Sequence, residues 1–409
     1  MRTTKLITIL AASFCLLTVG LILNLPTMYL MCGLLFTLPF GGRLYARAQQ
    51  RGLEARCTVP TRAAIGEHLP VEVTVTNRHP WPKMHLSVVA AFPPALEVIG
   101  PSEIPIHLAP LGRDTASLVA RPLVRGLHRF GGVVIHSTDP LGLSEATTEV
   151  PVEAEVLVYP RVVALPPELL DVALSNSAAP THPTGRRGEG NLFFGTREYQ
   201  PGDPLRRVHW RSSARLGRLA VREMEHEQNV EVIVALETMR DSEIGTPPYT
   251  SLEYGVTLAA SLVALVARRG DRIRLVAPGW ASWSDRSEAG PMALPRIMET
   301  LARLEANGPH GLEHELLTHA QEIPRGSCIF WITPRLGAPL WQAIRTLRTT
   351  HVRVIVFGLD PTSYDPTARR GESDPIHSDL YSLGPDFWLF RRDDDPVAVF
   401  TAARYGGRT

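Results

Sequence analysis

Distinct patterns of apolar and polar positions follow one another along the chain. From Leu6 to Gly42 no residue is charged. As a helix rising ~1.5 Å per residue, such a run reaches roughly 55 Å, too long for one ~30 Å hydrocarbon crossing. It fits two crossings joined at "NLPT" (Asn24 to Thr27), with Pro26 as the breaker. The second crossing, about Tyr29 to Phe40, is short. Arg2 and Lys5 precede the run, and Arg43, Arg47 and Arg51 follow it. Basic flanks tend to stay cytoplasmic, which places both ends on that side. A cleaved signal peptide fits less well, because no A-x-A-like site follows at Leu23. The expectation is an N-terminal transmembrane helical hairpin over residues 1–51.

Over residues 52–160 the period becomes two. "LPVEVTVTN" (Leu69 to Asn77) alternates apolar and polar positions, as a half-buried strand does. "MHLSVVAAF", "IPIHLAPL", "TASLVARPL", "FGGVVIHST" and "AEVLVYP" read in the same way, separated by turns such as Asp139-Pro140-Leu141-Gly142. Short strands with this punctuation predict a small antiparallel β-sandwich, a fold that more often spaces or docks than catalyses.

Residues 229–409 change again. "VEVIVALET" (Val230 to Thr238) is a continuous apolar run, as in a strand buried on both faces. "SLEYGVTLAASLVALVARRG" opens on a capping-box pattern, Thr250 or Ser251 ahead of Glu253, and closes on Gly270, so it predicts a helix. "DRIRLVAP", "GSCIFWITP" and "HVRVIVFGL" read as strands; "LPRIMETLARLEANG", "HELLTHAQEI" and "PLWQAIRTLRT" read as helices. The alternation predicts a C-terminal α/β domain with a parallel sheet, and a ligand would lie beyond the carboxyl ends of its strands. Those ends include Glu237 to Asp241, Pro278 to Trp280, and Thr333 to Arg335. A von Willebrand factor A domain carries D-x-S-x-S after its first strand, where oxygen ligands hold Mg²⁺. Here E-T-M-R-D replaces it. Both serine positions are lost, and Arg240 brings a positive charge, so Glu237 and Asp241 form at most a degenerate metal site.

Composition narrows the chemistry. The chain has 409 residues, 44% hydrophobic and 20% charged, with a net charge of +1. Near-neutrality offers no global attraction for nucleic acid. The cysteines Cys15, Cys32, Cys57 and Cys328 form no CxxC pair, so neither a disulfide framework nor a zinc site is implied. "HGLEH" (His310 to His314) matches an H-x-x-E-H zinc pattern, but Gly308, Pro309 and Gly311 place His310 in a loop ahead of the helix. No nucleophile elbow, Walker loop or dinucleotide fingerprint is visible, and no cofactor is implied.

Residues 161–228 join the two folded stretches. "LSNSAAPTHPTGRRGEGN" has linker composition, and "GDPLRRVHWRSSARLGRLAVRE" follows. Asp203 can cap a helix with Pro204 at its first position, running to about Arg215 and ending at Gly217. Arg207, Trp210, Arg211 and Ala214 would share one face of it. Acidic residues interleave with the arginines, which favours internal ion pairs over a nucleic-acid grip. The segment reads as a packed latch or as a surface for a protein partner. The rival reading is an enzyme acting on an anionic substrate through Arg206, His209 and Arg211.

"GTREYQPGDPLRRVHWRSSARLGRLAVREME" resembles the signature of the domain of unknown function 58 family, and "RGLHRFGGVVIHSTDPLGL" with "VLVYP" resembles the stretch upstream of it. The matching positions are Gly195, Arg197, Tyr199, Gly202, Asp203, Arg206, His209, Trp210, Ala214 and Arg215; Arg211 lies among them. The resemblance implies a membrane-anchored protein with a von Willebrand factor A-like domain and no settled enzymatic activity. It also implies association with a MoxR-type AAA+ ATPase. The function expected is that of a non-enzymatic adaptor, with its soluble domains cytoplasmic.

Overall fold

The computed structural model describes residues 2–89, 91–175, 193–200, 208–224, 231–283, 287–289, 292–365 and 386–404. The chain has a mixed α/β fold and divides into two compact units, Met1–Arg161 with Leu301–Arg303 and Val162–Thr300 with Leu304–Thr409.

The first unit opens with helices α1 (Arg2–Leu23) and α2 (Pro26–Gln50). Asn24, at φ +50°, turns the chain between them. Pro26 lies at the start of α2, where its missing N–H leaves no helical bond unmade. The Ser13 hydroxyl on α1 reaches the Cys32 carbonyl on α2 at 3.2 Å. Large apolar side chains point away from protein on both helices, among them Phe14, Ile22, Leu30 and Phe40. By length and composition, one helix among the described residues could cross a membrane: Ser251–Arg269, 72% buried as a core helix of the second unit. Ile7–Leu23 is an apolar helix of shorter length.

Two sheets follow. One has the order β1 (Leu53–Thr58), β3 (Leu69–Asn77), β7 (Arg113–Pro122), β5 (Leu96–Ile99). The other has β2 (Arg62–Ala64), β9 (Glu145–Tyr159), β8 (Gly126–Thr138), β4 (Lys83–Val89), β6 (Glu103–Leu108). Alternate residues of β3 from Leu69 to Asn77 are buried, as its period of two requires. Val71, Val73 and Val75 meet Leu86, Val88, Ile106, Ile135 and Val156 in one core shared by both sheets. The pairing is not wholly antiparallel: β2 runs parallel to β9.

The carboxyl-terminal half of α2 is bonded to the second sheet. Ser144 Oγ donates to the Pro39 carbonyl at 3.1 Å and Ser137 Oγ to that of Ala46 at 2.8 Å. Lys83 Nζ donates to the carbonyls of Ala48 and Arg51 at 2.8 and 2.9 Å. A cation at this end of a helix meets the negative pole of its dipole and its unpaired carbonyls. Lys83 is buried, and desolvation pushes its pKa down. Gly42 allows the approach, since a Cβ there would lie 3.2 Å from the Asp139 carboxyl.

In the second unit, α3 (Glu168–Ser175), β10 (Phe193–Glu198), α4 (Trp210–Leu216) and β11 (Ala220–Met224) precede the main sheet. That sheet takes its strands from β12 (Glu231–Leu236), β15 (Arg272–Val276), β16 (Glu288–Ala289), β17 (Cys328–Thr333), β18 (Arg353–Leu359) and β19 (Phe387–Phe390). A hairpin of β13 (Gly245–Thr246) and β14 (Tyr249–Thr250) lies outside it. The spatial order is β16-β15-β12-β17-β18-β19, parallel except for β16. The order reverses at β12 and β17, which creates a crevice beyond their carboxyl ends.

The helices are α5 (Ser251–Arg269), α6 (Leu294–Arg303), α7 (Leu312–Thr318), α8 (Ala338–Thr349), α9 (Pro361–Tyr364) and α10 (Pro396–Arg404). Thr250 caps α5 by accepting from the Glu253 N–H at 3.2 Å, and Gly270 closes it in the left-handed conformation. On α8, Leu340, Ala343, Ile344 and Leu347 are buried, the three-and-four spacing of an amphipathic helix. The short α3 is tied down by Arg353, which donates to the Ala173 carbonyl at 2.9 Å, and by an Arg269–Asp171 ion pair at 2.6 Å.

Candidate functional site

The arginine-rich segment builds a small structure of its own. β10 and β11 are antiparallel, with Arg197 opposite Val221, and the Tyr199 N–H continues the ladder to the Leu219 carbonyl at 2.8 Å. Val208 bridges to Val221, and the His209 N–H donates to the Ala220 carbonyl at 2.8 Å. Val208 is therefore extended, so the helix predicted from Asp203 starts only at Trp210. A helix cannot run through a residue whose backbone is committed to a strand.

His209 supplies the cap. Its Nδ1 accepts from the Ser212 N–H at 3.3 Å and lies 2.6 Å from Ser212 Oγ. Ser, Thr, Asp and Asn usually fill this place. Ser213, buried behind it, donates to the His209 carbonyl at 3.0 Å and accepts from the Ala220 N–H at 2.9 Å, joining α4 to β11. Gly217 ends the helix at φ 70° and ψ 11°, as predicted.

The outward side is different. Trp210 is 66% exposed, and Arg211, Ala214, Arg215, Leu216, Arg218 and Leu219 are exposed with it. Tyr199 is half-buried. Of Gly195 and Arg197 the strand position alone is described. Gly202, Asp203, Arg206 and Arg207 lie outside the described residues.

The crevice at β12 and β17 holds a second polar centre. Glu237 is 3% exposed. Its Oε1 accepts from the N–H groups of Thr238 and Met239 at 3.1 and 3.0 Å, and its Oε2 from that of Leu312 at 3.2 Å. Arg335, from the loop after β17, places Nη1 3.6 Å from Glu237 Oε2 and 3.0 Å from Glu313 Oε1. Burial pushes the Glu237 carboxyl above its ordinary range; the backbone donors and Arg335 offset only part of that. The positive charge beside Glu237 thus comes from Arg335, whereas Arg240 and Asp241 are exposed on a short 3₁₀ turn. The sequence named Arg335 only as a strand end. Its role needed the strand order, which sets the ends of β12 and β17 side by side.

His310 precedes Gly311, the N-cap of α7, and so lies in the loop the glycines predict. Its Nε2 is 2.9 Å from Glu315 Oε2, while Glu315 Oε1 accepts from the Trp283 N–H at 3.2 Å. Burial pushes Glu315 up, but these bonds hold it below the ordinary range. The arrangement pins a loop to a helix.

Residues 195–363 match the model of the family described as "Protein of unknown function DUF58". The chain is 23% identical over 214 residues to the uncharacterised protein YeaD of Bacillus subtilis (strain 168), covering 51% of this chain and 52% of that one. To an uncharacterised protein of Mycobacterium tuberculosis (strain ATCC 25618 / H37Rv) it is 26% identical over 181 residues, covering 42% of this chain and 56% of that one. It thus spans about half the length of these curated relatives. Among solved structures, the CARDB domain of a Pyrococcus furiosus protein in complex with di-metal ions aligns at 17% identity and a TM-score of 0.17, over 26% of this chain and 93% of that one. Native alpha-2-macroglobulin from Escherichia coli aligns at 21% and 0.19, over 28% and 17%. Similarity at these TM-scores carries no argument. Over residues 195–363, then, the chain is similar to the DUF58 family of unknown function.

Proposed function

We propose that this protein is a membrane-anchored, non-enzymatic adaptor whose α4 surface engages a MoxR-type AAA+ ATPase during assembly or remodelling of a client complex. One observation carries the reading: the signature segment spends His209, Ser212 and Ser213 on its own architecture and turns Trp210, Arg211 and Arg215 outward. An exposed tryptophan among arginines is the composition of a binding hot spot. Two further features support it. The apolar exteriors of α1 and α2, with basic residues at both outer ends, fit two membrane spans and cytoplasmic soluble domains. The order β16-β15-β12-β17-β18-β19 with an antiparallel β16 fits a von Willebrand factor A-like domain whose metal position is taken by the Arg335–Glu237 pair; the two-sheet unit then acts as a β-sandwich spacer. The enzymatic alternative has less support, since His209 Nδ1 is engaged in capping.

The test is affinity capture by the full chain in nanodiscs, from host lysate with and without ATP. Capture of the ATPase by the wild type, lost in Trp210→Ala with Arg211→Ala and Arg215→Ala, is the expected result. Equal capture by that folded variant would remove α4 from the interface. No ATPase in either condition would overturn the partner.

A further inference from the structure

The turn between β8 and β9 has no part in the reading above, yet it is built with unusual care. Asp139, 4% exposed, organises it from within. Its Oδ1 accepts from the Ser144 N–H at 2.6 Å and its Oδ2 from the Leu141 N–H at 3.2 Å. Its own N–H donates to the Ser144 carbonyl at 3.1 Å, and its carbonyl accepts from the Gly142 N–H at 2.9 Å. A buried carboxylate spent on local backbone donors fixes a turn in one shape. What that shape presents is apolar: Pro140 and Leu141 form its tip, and Leu141 is 56% exposed.

The turn is also fixed in height along α2. Ser144 Oγ bonds the Pro39 carbonyl, and Asp139 lies against Gly42. That level is where the uncharged run ends, between Phe40, 66% exposed, and the exposed Arg43. Apolar side chains below and guanidinium groups above mark the headgroup boundary on a spanning helix.

We propose that the Asp139–Ser144 turn is an interfacial wedge that seats Pro140 and Leu141 in the headgroup region of the bilayer, beside the emergence of α2. The inference rests on the membrane reading of α1 and α2. The occupant is lipid, because the turn is fastened to α2 where the apolar exterior of that helix gives way to its basic flank. A rigid turn loses little entropy on insertion, and a leucine gains from leaving water.

Spin labels on the full chain in nanodiscs of phosphatidylcholine and phosphatidylglycerol test it. The labels go at Leu141→Cys, at Phe36→Cys on α2, and at Glu72→Cys on an exposed position of β3, with Cys15, Cys32 and Cys57 replaced by alanine and the buried Cys328 retained. The expected result is preferential access of oxygen over a water-soluble nickel complex at positions 36 and 141, severalfold above that at 72, with 141 shallower than 36. Position 36 in hydrocarbon and position 141 as water-exposed as 72 would overturn the wedge and leave the anchor standing. Position 36 as water-exposed as 72 would overturn the anchor, and the wedge with it.

Discussion

At the residue scale, the signature segment separates by the direction of its side chains. Ser213 is buried; its hydroxyl accepts from the Ala220 N–H of β11 and donates to the His209 carbonyl at the head of α4. Ser213→Ala takes the side-chain acceptor from the buried Ala220 N–H and leaves the His209 carbonyl with its backbone donor alone, so thermal unfolding in detergent should show a loss of about 1–2 kcal/mol. Arg211→Ala and Arg215→Ala, on the exposed side, should change stability by no more than about 0.5 kcal/mol. A large loss from either arginine would mean that the segment is the latch its composition suggests.

Glu237 gives a pH signature of definite sign. Its carboxyl is raised in the fold, chiefly by burial. Between the ordinary glutamate pKa and the raised one, the folded chain keeps a proton that the unfolded chain has released. This contribution is therefore fully present at lower pH, falls as pH rises through that window, and is absent above it. Unfolding of the wild type and Glu237→Gln, compared across acidic to neutral pH, should show that slope in the wild type alone. An identical pH dependence in both would place the ionisation elsewhere.

At the scale of elements, caps and turns are discrete devices with measurable worth. Thr250→Ala removes the acceptor for the Glu253 N–H at the head of α5. It should cost about 1 kcal/mol in thermal unfolding. Gly217→Ala forces a Cβ into the left-handed region that ends α4 and should cost about 1–2 kcal/mol. Both elements were legible in the sequence, because the Thr-x-x-Glu spacing and a glycine after the last helical residue are local signals. The β3 strand was equally legible, since its burial alternates as its side chains do. The edge strands β1 and β5 were missed: β5 is only four residues long, and β1 alternates in Leu-Glu-Ala-Arg-Cys-Thr but buries none of its positions fully. The start of α4 was misplaced for a physical reason. Asp203-Pro204 is a sound helix opening, but Val208 is claimed by a bridge to Val221 that sequence spacing does not announce. The Glu237–Arg335 contact was illegible for the same kind of cause, since it exists only once β12 and β17 are neighbours.

At the scale of the whole molecule, the proposed anchor and the proposed adaptor surface make separate demands. If α1 and α2 span the bilayer, the full chain should stay with membranes through alkaline carbonate washing, where a peripheral protein would be released. If the α4 surface works through Arg211 and Arg215, ATPase capture should weaken steadily as salt rises, because exposed charge pairs are screened. Capture indifferent to salt would shift the weight to Trp210 and Leu216.

The carbonyls of Pro39, Ala46, Ala48 and Arg51 are each held by a side chain of the β4, β8 and β9 sheet or its turn, and Lys83 supplies two of those bonds from a buried position. Fastened at successive turns, α2 cannot swivel or slide against that sheet without breaking several contacts at once. Thus α2 behaves as an axle keyed to its wheel. If α2 spans a bilayer as proposed, a change in its tilt with bilayer thickness would be delivered to the strands as torque and not absorbed in a loop.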